Sequence, residues 1–440
     1  MPITPAPRGN GLAMRVWALI TAAARDHDVA LAVVPVAGNL DEDSNLPPEV
    51  TLRSLAVNSS VLDVLNAFQG PLPDAVLAAR LSLVPLAAAV ADAADVPLLV
   101  DLDEDDVALN QALGRPEEAE RFRRLAAEHL PRATLITVAS SADVEPIAGR
   151  YGLGAGVTTV PNCVRIPARS RRVAPGAGRV IFLGNLTYPP NVDAARWLAT
   201  DILEALPPDM SLDLVGQPDS AVEELAGPRV RVHGYVADLT GYYANADVAV
   251  APLRFGAGTR IKVLEAFAHR VPVVTTPKGV QGLSVVDGVH ALVAKDGPSF
   301  ARAIERARQP DEGARLADAA YEWVAAHHDS DVVIGRLADV LARATVDAAR
   351  ARPGPDDVRP RAAAGLDVND AEDGLVVYGA TTGAVHHLNS TVAAVFVLCN
   401  GGLTVTDITE EIQKAFGLDA APADEVARCL AGLRGSGLVE

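Results

Sequence analysis

The segment ADVAVAPLRFGAGTRIKVLEAF, Ala246–Phe267, decides the fold class of this chain. An apolar run comes first, a glycine-containing loop follows, and an apolar run with a single acid, Glu265, ends the segment. This order predicts a buried strand, a turn and a helix. Two cations, Arg260 and Lys262, stand where the helix begins. Because the first N–H groups of a helix attract anions, the segment predicts an anion-binding turn in an α/β protein.

The specific hypothesis for this turn is a nucleotide-diphosphate site. Gly256 and Gly258 allow the backbone to approach a ligand closely. Arg260 can fork onto phosphate oxygens, Lys262 adds a second charge, and Glu265 can accept hydrogen bonds from ribose hydroxyls. A glycine turn with two solvated cations is the plainer interpretation, and the segment alone does not exclude it.

Apolar runs alternate with helical segments along most of the chain. The runs are continuously apolar, which predicts parallel strands buried on both faces. In the first part the predicted strands are Val29–Val36, Val50–Val57, Val96–Asp103, Ala133–Ser140 and Val157–Asn162, with a predicted helix over Pro73–Ala93. In the second part they are RVIFLGN, SLDLVG, VRVHGYV, ADVAVAPL, VPVVTTP and HALVAKD. We therefore expect two tandem Rossmann-like α/β domains, residues 1–167 and 168–350.

The remaining residues predict a linker and a third, smaller domain. Residues 351–365 are rich in Pro, Arg, Asp and Ala, which is typical of a semi-rigid linker. Residues 366–440 predict a winged-helix-like α+β unit, with a hairpin over Gly374–Asn389 and three helical segments. Such a layout often binds DNA. Four basic residues against eleven acids from Arg361 onward argue against that function.

Composition narrows the class of protein further. The 440 residues carry a net charge of −18, which disfavours general affinity for nucleic acid or anionic membranes. The cysteines, Cys163, Cys399 and Cys429, are far apart and form no CxxC motif, which is typical of reduced, buried thiols. The start, MPITPAPRGNG, has no signal-peptide pattern, and the longest apolar stretch, Ala75–Val100, contains three charges. We expect a cytoplasmic protein with no membrane-spanning segment.

Residues 180–294 resemble the nucleotide-binding half of retaining family 4 glycosyltransferases of the GT-B fold. The similar segments are, in order, VIFLGNLTYPPNVDAARWL, LDLVG, VHGYVADLTGYYANADVAVAPL, GAGTRIKVLEAFAHRVPVVTTPKGVQGL and DGVHALVA. In the first domain, PRGNGLAMR resembles the glycine-rich loop of the family, and ATLITVASSADVEPIAGRYG with VPNCV resembles the end of its acceptor domain. The resemblance extends over roughly residues 7–345.

This resemblance implies transfer of a sugar, with retention, from a nucleotide-diphosphate sugar such as a UDP- or GDP-sugar. Arg260 and Lys262 would be catalytic, because they would stabilise charge on the leaving diphosphate. Glu265 would hold the ribose, and no permanently bound cofactor and no metal is implied. The implied donor-binding residues are Gly9, Asn10, Gly11, Gly184, Asn185, Tyr235, Val236, Gly256, Gly258, Thr259, Arg260, Lys262, Leu264 and Glu265.

Two features depart from the family pattern. Many members carry a Glu eight positions before the ribose Glu, where Ala257 stands here, so the sugar is not specified. Only MPITPAP precedes the glycine-rich loop, where the family has a strand. Either that strand is absent or the sequence begins after it, and the first sheet is expected to be weaker for it.

Other polar groups are weaker candidates. The acids of DLDEDD, Asp101–Asp106, suit Mg²⁺, but acids at the end of a strand also cap helices or line clefts. We favour a role without metal and take Asp103 as the acceptor-side candidate. The histidines follow simpler expectations: a surface position for His327 and His328, no chemical role for His386 and His387, and either a cleft or a structural role for His233.

The unit from residue 366 onward resembles PqqD-like domains, the leader-peptide recognition elements of ribosomal peptide biosynthesis. The similar segments end in HHLN, continue through STVAAVFVLCNGG and LTVTDITEEI, and finish with LRGSGLVE. The resemblance implies that a leader peptide adds as a strand to the hairpin edge. The implied peptide contacts are Val385, Leu388, Val426, Leu430 and Leu433. A docking or fold-stabilising appendage is the alternative.

The expected function is glycosylation of a side chain of a ribosomally made precursor peptide. One alternative is a glycosyltransferase for a saccharide or lipid-carrier acceptor, with the last unit as a regulatory module. Another is a binding protein that kept the cleft and lost catalysis.

Overall fold

The computed structural model describes the chain apart from residues 2, 4, 8–10, 35–45, 69–70, 154–155, 169–175, 257–259, 352–355, 357 and 380–382, and apart from the side chains of residues 347–351. The described residues form two α/β units with parallel sheets and a third unit with an antiparallel sheet. The predicted fold class is therefore confirmed.

The first unit is built from parallel strands with helices between them. Its strands are β1 Ala30–Val33, β2 Thr51–Ser54, β3 Val76–Ala79, β4 Leu98–Leu102, β5 Leu135–Val138 and β6 Val157–Thr159. Its helices are α1 Gly11–Ala23, α2 Val61–Ala67, α3 Val84–Ala94, α4 Asp106–Ala112, α5 Pro116–His129 and α6 Ser141–Tyr151. β1 pairs with β2, and β3, β4, β5 and β6 form a second sheet in that order.

Met1 lies beside β1. Its ammonium donates to the carbonyl of Ala32 at 2.7 Å, and the N–H of Val34 donates to the carbonyl of Met1 at 2.8 Å. Among the described residues, the parallel strands of this unit form two sheets, one of β1 and β2 and one of β3 to β6.

The predicted helix over Pro73–Ala93 is wrong in its first half. Residues 76–79 are β3, which pairs with β4, and the helical part is a 3-10 turn over residues 81–83 followed by α3 over residues 84–94. Arg80 separates the two elements with φ 77°, and Pro85 stands in the first turn of α3. A short apolar run rich in alanine does not distinguish a buried strand from a buried helix, so the pairing with β4 decides.

A buried ion pair joins α1 to β4 within the first unit. Arg15 donates to both carboxylate oxygens of Asp101, at 2.8 and 2.6 Å, and also to the carbonyl of Val160 and the amide oxygen of Asn162. Thr137 donates to Asp101 at 2.5 Å. The side chains of Arg15 and Asp101 are almost fully buried, so each charge depends on the other for solvation.

The second unit has one parallel sheet with the strand order β12-β11-β10-β7-β8-β9. The strands are β7 Arg179–Leu183, β8 Ser211–Val215, β9 Val230–His233, β10 Val248–Ala251, β11 Val273–Thr275 and β12 Leu292–Val293. The helices are α7 Pro189–Trp197, α8 Ser220–Glu223, α9 Thr240–Asn245, α10 Ile261–Ala268, α11 Gly297–Ala307, α12 Pro310–His327 and α13 Ser330–Ala351. This is the Rossmann order that the strand pattern predicts.

Helix α13 crosses back to the first unit. Its apolar residues Val333, Ile334 and Leu337 share a core with Val16 and Leu19 of α1. The predicted second domain, residues 168–350, ends with this helix. The helix nevertheless packs into the core of the first unit. Among the described residues, none of the helices combines the length and the apolar character needed to cross a bilayer.

The third unit has strands β13 Leu366–Ala371, β14 Gly374–Gly379 and β15 Ala384–Asn389, and helices α14 Ser390–Leu398, α15 Val405–Phe416 and α16 Ala423–Gly435. β14 and β15 form the predicted hairpin, and β13 adds a strand that the sequence did not predict. Part of the predicted linker also belongs here, since Ala362 donates to the carbonyl of Cys399, and Arg361 and Glu440 exchange backbone hydrogen bonds.

Substitution of Asp101 tests the buried pair. Asp101→Asn leaves the Arg15 charge without its counter-charge, and we expect a loss of about 3–5 kcal/mol in the free energy of unfolding. The matched control is Asp92→Asn, which breaks the exposed pair of Asp92 with Arg132 and should cost about 0–1 kcal/mol. Urea unfolding followed by circular dichroism measures both. Equal losses in the two variants would contradict this role of Asp101.

Candidate functional site

The candidate site lies where the strand order of the second sheet reverses. β7 and β10 are neighbours, yet the chain continues to β8 on one side and to β11 on the other. Such a switch point opens a crevice beyond the carboxyl ends of the strands, where α/β sheets bind ligands. Gly184 follows β7 at this edge, and the connection from β10 ends at Arg260, the N-cap of α10.

Lys262 lies in the first turn of α10, and its ammonium is held on two sides. Nζ donates to Asn191 Oδ1 at 2.7 Å and lies 4.3 Å from the centre of the Phe182 ring. Asn191 is itself fixed, because its Nδ2 donates to the carbonyl of Asn185 at 2.8 Å. Burial, followed by the charge of Arg260, lowers the pKa of Lys262 to about 7. The negative charge of a bound anion would act in the opposite direction and raise this pKa.

Two glycines bring the backbone close to this ammonium. A Cβ on Gly184, where φ is 155°, would lie 2.8 Å from Lys262 Nζ and 2.9 Å from Asn191 Nδ2. A Cβ on Gly216, where φ is 137°, would lie 1.8 Å from the carbonyl oxygen of Gly184. The carboxyl ends of β7 and β8 can therefore meet beside Lys262 only because both positions lack a side chain.

Arg260 adds a second cation to the site, and this one is buried. Its Nη2 donates to the carbonyl of Gly256 at 3.0 Å, and its Nε donates to the carbonyl of Lys278 at 3.4 Å. Burial lowers the pKa of Arg260, while burial and the charge of Arg260 lower the pKa of Lys278. Like charges thus lie close together in partly desolvated positions, an arrangement that the oxygens of a diphosphate stabilise.

Glu265 follows about one helical turn after the cations. The hydroxyl of Tyr243 lies 3.5 Å from Glu265 Oε2 and 3.5 Å from the carbonyl of Lys262. Burial raises the pKa of Glu265 to about 7, although the hydrogen bond from Tyr243 acts in the opposite direction. The carboxylate is half-buried and can accept hydrogen bonds from ligand hydroxyls.

The first unit closes the other side of the site. α1 begins at Gly11, where a Cβ would lie 3.2 Å from Ile261 Cγ1, so the N-termini of α1 and α10 meet. Two helix N-termini bring unpaired N–H groups and positive dipole ends to one place. Ser140 of the first unit also donates to the carbonyl of Gly282 at 3.4 Å across the same crevice.

The remaining donor-site predictions have mixed outcomes. Leu264 is wrong as a side-chain contact, because it is 0% exposed in the core of the second unit, on the face of α10 that packs on the sheet. Tyr235 is 69% exposed and Val236 is half-buried, so both can be reached by a ligand. Five residues lie outside the described residues: Gly9, Asn10, Ala257, Gly258 and Thr259.

The acidic loop after β4 is engaged within the protein. Asp103 accepts from Asn162 Nδ2 at 3.2 Å and lies 4.0 Å from Arg80, which also pairs with Glu104 and Asp106. Burial raises the pKa of Asp103. Asp103 is thus half-buried at the carboxyl edge of β4, a position that leaves it a candidate on the acceptor side.

In the described part of the chain, His, Cys, Asp and Glu form no group of three that could hold a metal ion. Asp105 of this loop caps α4, accepting hydrogen bonds from the N–H groups of Val107 and Ala108.

The histidines divide into buried and exposed positions. The predicted surface position of His328 is wrong, because it is buried with Nδ1 2.7 Å from the carbonyl oxygen of Asn162. His327 is exposed, as expected. His233 lies 2.9 Å from Asp213 and 3.3 Å from the hydroxyl of Tyr242, which favours its structural role.

Four of the five predicted peptide contacts lie in the core of the third unit: Leu388, Val426, Leu430 and Leu433. Their side chains hold the sheet against α14, α15 and α16, so they are wrong as peptide contacts. Val385, in contrast, is 66% exposed on β15, directly opposite the exposed Tyr378 of β14. The outer face of the hairpin therefore offers a partner an exposed apolar pair, Val385 and Tyr378.

The third unit packs on the first through α16. A Cβ on Gly432 would lie 3.1 Å from Leu62 of α2, and one on Gly435 would lie 3.1 Å from Val61 of α2 and 3.4 Å from Ala93 of α3. The absence of side chains at these two positions allows the helices to approach closely. The third unit is thus docked on the first unit.

Comparisons with known proteins agree with this architecture. Residues 177–309 match the family Glycosyl transferases group 1, and residues 374–439 match the family Coenzyme PQQ synthesis protein D (PqqD). A curated relative, the uncharacterized 44.6 kDa protein in the cps region of Klebsiella pneumoniae, is 23% identical over 172 residues. That match covers 36% of this chain and 44% of the relative, so this chain spans less than half of the relative's length.

Solved structures resemble the first two units together. Anabaena Alr3699/HepE, crystallised in complex with UDP-glucose, is 19% identical with a TM-score of 0.60, over 78% of this chain and 98% of that one. Sucrose-phosphate synthase (tll1590) from Thermosynechococcus elongatus is 17% identical with a TM-score of 0.64, over 79% of this chain and 96% of that one. At these identities the likeness shows the fold, which is GT-B.

The chain therefore has the GT-B fold, with a crevice between two Rossmann-like units. More particularly, the chain contains a glycosyl transferases group 1 domain and, at its C-terminal end, a PqqD domain.

Substitution of Gly184 tests the cation site. A methyl group in Gly184→Ala would collide with Lys262 and Asn191, and we expect affinity for inorganic pyrophosphate to fall by about tenfold or more. The control is Gly149→Ala within α6, where a Cβ meets nothing within 4 Å. Isothermal titration calorimetry measures the affinity, and thermal unfolding checks the fold. Unchanged pyrophosphate binding in a folded Gly184→Ala protein would contradict the assignment.

Proposed function

We propose that this chain is a retaining glycosyltransferase that moves a sugar from a nucleotide-diphosphate sugar to a side chain of a precursor peptide bound by its PqqD domain. The observation that carries the proposal is the pair of cations at the N-terminus of α10, the buried Arg260 and the half-buried Lys262. The fold shared with a protein crystallised with UDP-glucose supports a nucleotide-sugar as donor.

The proposed chemistry follows from the charges of the site. Cleavage of the sugar–phosphate bond leaves negative charge on the diphosphate, and Arg260, Lys262 and the start of α10 stabilise that charge where it develops. Glu265 accepts hydrogen bonds from the ribose hydroxyls. Contact of the two units at Gly11 and Ile261 limits the access of water, which would otherwise hydrolyse the donor.

The acceptor part of the proposal depends on the third unit. An antiparallel sheet with an exposed edge strand, β15, can add an extended peptide as a further strand. Val385 and Tyr378 offer an apolar surface beside that edge. Because α16 is docked on α2 and α3, a peptide on this unit is held at a high local concentration beside the acceptor side.

Peptide glycosylation is tested with the full chain, a UDP-sugar panel and the short peptide encoded nearest to its gene. We expect a mass gain of one sugar on the peptide, and none with Lys262→Ala. Val385→Asp should lower kcat/KM for the peptide by about tenfold through KM. Val397→Asp, on α14 at 65% exposure, is the matched control.

Transfer of sugar to free saccharides, with no peptide product, would contradict the peptide as acceptor. It would not contradict the assignment of the donor site. Donor hydrolysis that is insensitive to Lys262→Ala would sink the donor assignment as well.

The pH dependence of donor binding tests Lys262 and Glu265 together. A bound diphosphate raises the pKa of Lys262 above about 7, so its contribution is present below pH 7 and is lost as the pH rises. Ribose hydroxyls lower the pKa of Glu265 below about 7, so its contribution is present above pH 7 and is lost as the pH falls. The affinity for UDP-glucose should therefore be highest near pH 7.

Calorimetric titrations of variants separate the alkaline limb of the pH profile, assigned to Lys262, from the acid limb, assigned to Glu265. Lys262→Arg should keep its affinity at alkaline pH, because guanidinium remains protonated up to about pH 12. Glu265→Gln should flatten the acid limb and bind more weakly near neutral pH. A wild-type profile that is flat, or that both variants reproduce, would contradict the assigned roles.

A further inference from the structure

A cavity of about 490 Å³ lies in the first unit, outside the donor site. Its lining residues come from the end of β2, the connection that follows and α2: Ser54, Leu55, Ala56, Asn58, Ser59, Asp63, Asn66 and Ala67. Five of these eight residues are exposed, so the cavity is open to solvent along one side. The cavity opens beyond the carboxyl end of β2, the edge at which parallel α/β sheets bind ligands.

Helix α2 joins this cavity to the PqqD domain. Asp63, Asn66 and Ala67 share one face of the helix, as the spacing i, i+3, i+4 requires, and this face lines the cavity. Val61 and Leu62 contact α16 at Gly435 and Gly432. With seven residues, α2 is about 10 Å long. The PqqD domain and the cavity are therefore separated by no more than one short helix.

The chemistry of the lining fits a peptide better than a nucleotide. Ser54 and Ser59 carry hydroxyls, and Asn58 and Asn66 carry amides, so donors and acceptors are both available for a peptide main chain. Leu55 and Ala56 add apolar surface. The lining contains no Lys or Arg and includes Asp63, whose pKa is held low by hydrogen bonds from Ser60. A negative charge without a cation disfavours phosphate.

We propose that this cavity holds the part of the precursor peptide between the segment bound by the PqqD domain and the side chain that receives the sugar. This inference rests on the proposed function and adds to it a site on the acceptor unit. In this proposal the PqqD domain holds one end of the peptide at β15, its helix α16 contacts α2, and residues of α2 line the cavity, from which the peptide continues toward the site of sugar transfer.

A matched pair of neighbouring substitutions tests the cavity. Ala56 lines it and is exposed, so Ala56→Trp fills the space without burying the ring in a core. Val57 is 70% exposed and does not line the cavity, so Val57→Trp adds the same ring next to it. Asn66→Phe is a second filling variant, placed on α2. Thermal unfolding confirms that each variant is folded.

We expect Ala56→Trp and Asn66→Phe to lower kcat/KM for the precursor peptide by about tenfold, mainly through KM, with Val57→Trp close to wild type. UDP-glucose affinity by calorimetry, and the affinity of a fluorescent leader segment by anisotropy, should not change. Equal effects of Ala56→Trp and Val57→Trp, or unchanged transfer in both filling variants, would overturn the inference. Loss of leader affinity in Ala56→Trp would also overturn it, because the leader itself would then occupy the cavity.

The two proposals fail in different ways. If the wild-type chain transfers no sugar to any peptide, the proposed function fails and the cavity assignment with it. If the wild-type chain glycosylates the peptide and the filling variants do so equally well, only the cavity assignment fails.

Discussion

The architecture of the second unit depends on holding two positive charges, Arg260 and Lys262, close together in a partly desolvated site. Lys262 is retained there by Asn191 and the Phe182 ring, and Arg260 by backbone carbonyls. Both cations have lowered pKa values, so the protein is less stable for keeping them and gains free energy when an anion arrives. The glycines at 184 and 216, the strand reversal between β7 and β10 and the meeting of α1 with α10 all serve this constraint.

The first unit is packed against two other parts of the chain. Its strands form two sheets, α13 packs into its core, and α16 covers α2 and α3. Contacts from distant parts of the chain therefore stabilise the first unit. The docking of α16 also brings the PqqD domain next to α2 and the cavity that α2 lines, so the proposed peptide path and the stability of the unit depend on the same helix.

Much of the fold and part of the candidate site are predictable, because they depend on the pattern of neighbouring residues in the sequence. The strand–turn–helix pattern around Arg260 and Lys262, the Rossmann order of the second sheet and the β14–β15 hairpin follow from periodicity and turn residues. Asn191, Phe182 and Tyr243 were missed because only the folded chain brings them to Lys262 and Glu265. The peptide contacts on α16 were misassigned because apolar periodicity marks a buried face without stating what covers it. β3 was missed because its four apolar residues need β4 to define them.

A crystal structure of the full chain with UDP-glucose would show whether the two cations hold the donor diphosphate. We expect diphosphate oxygens within about 3 Å of Lys262 Nζ and of the Arg260 guanidinium, with the ribose hydroxyls on Glu265. A nucleotide bound elsewhere, with Lys262 still donating only to Asn191, would contradict it.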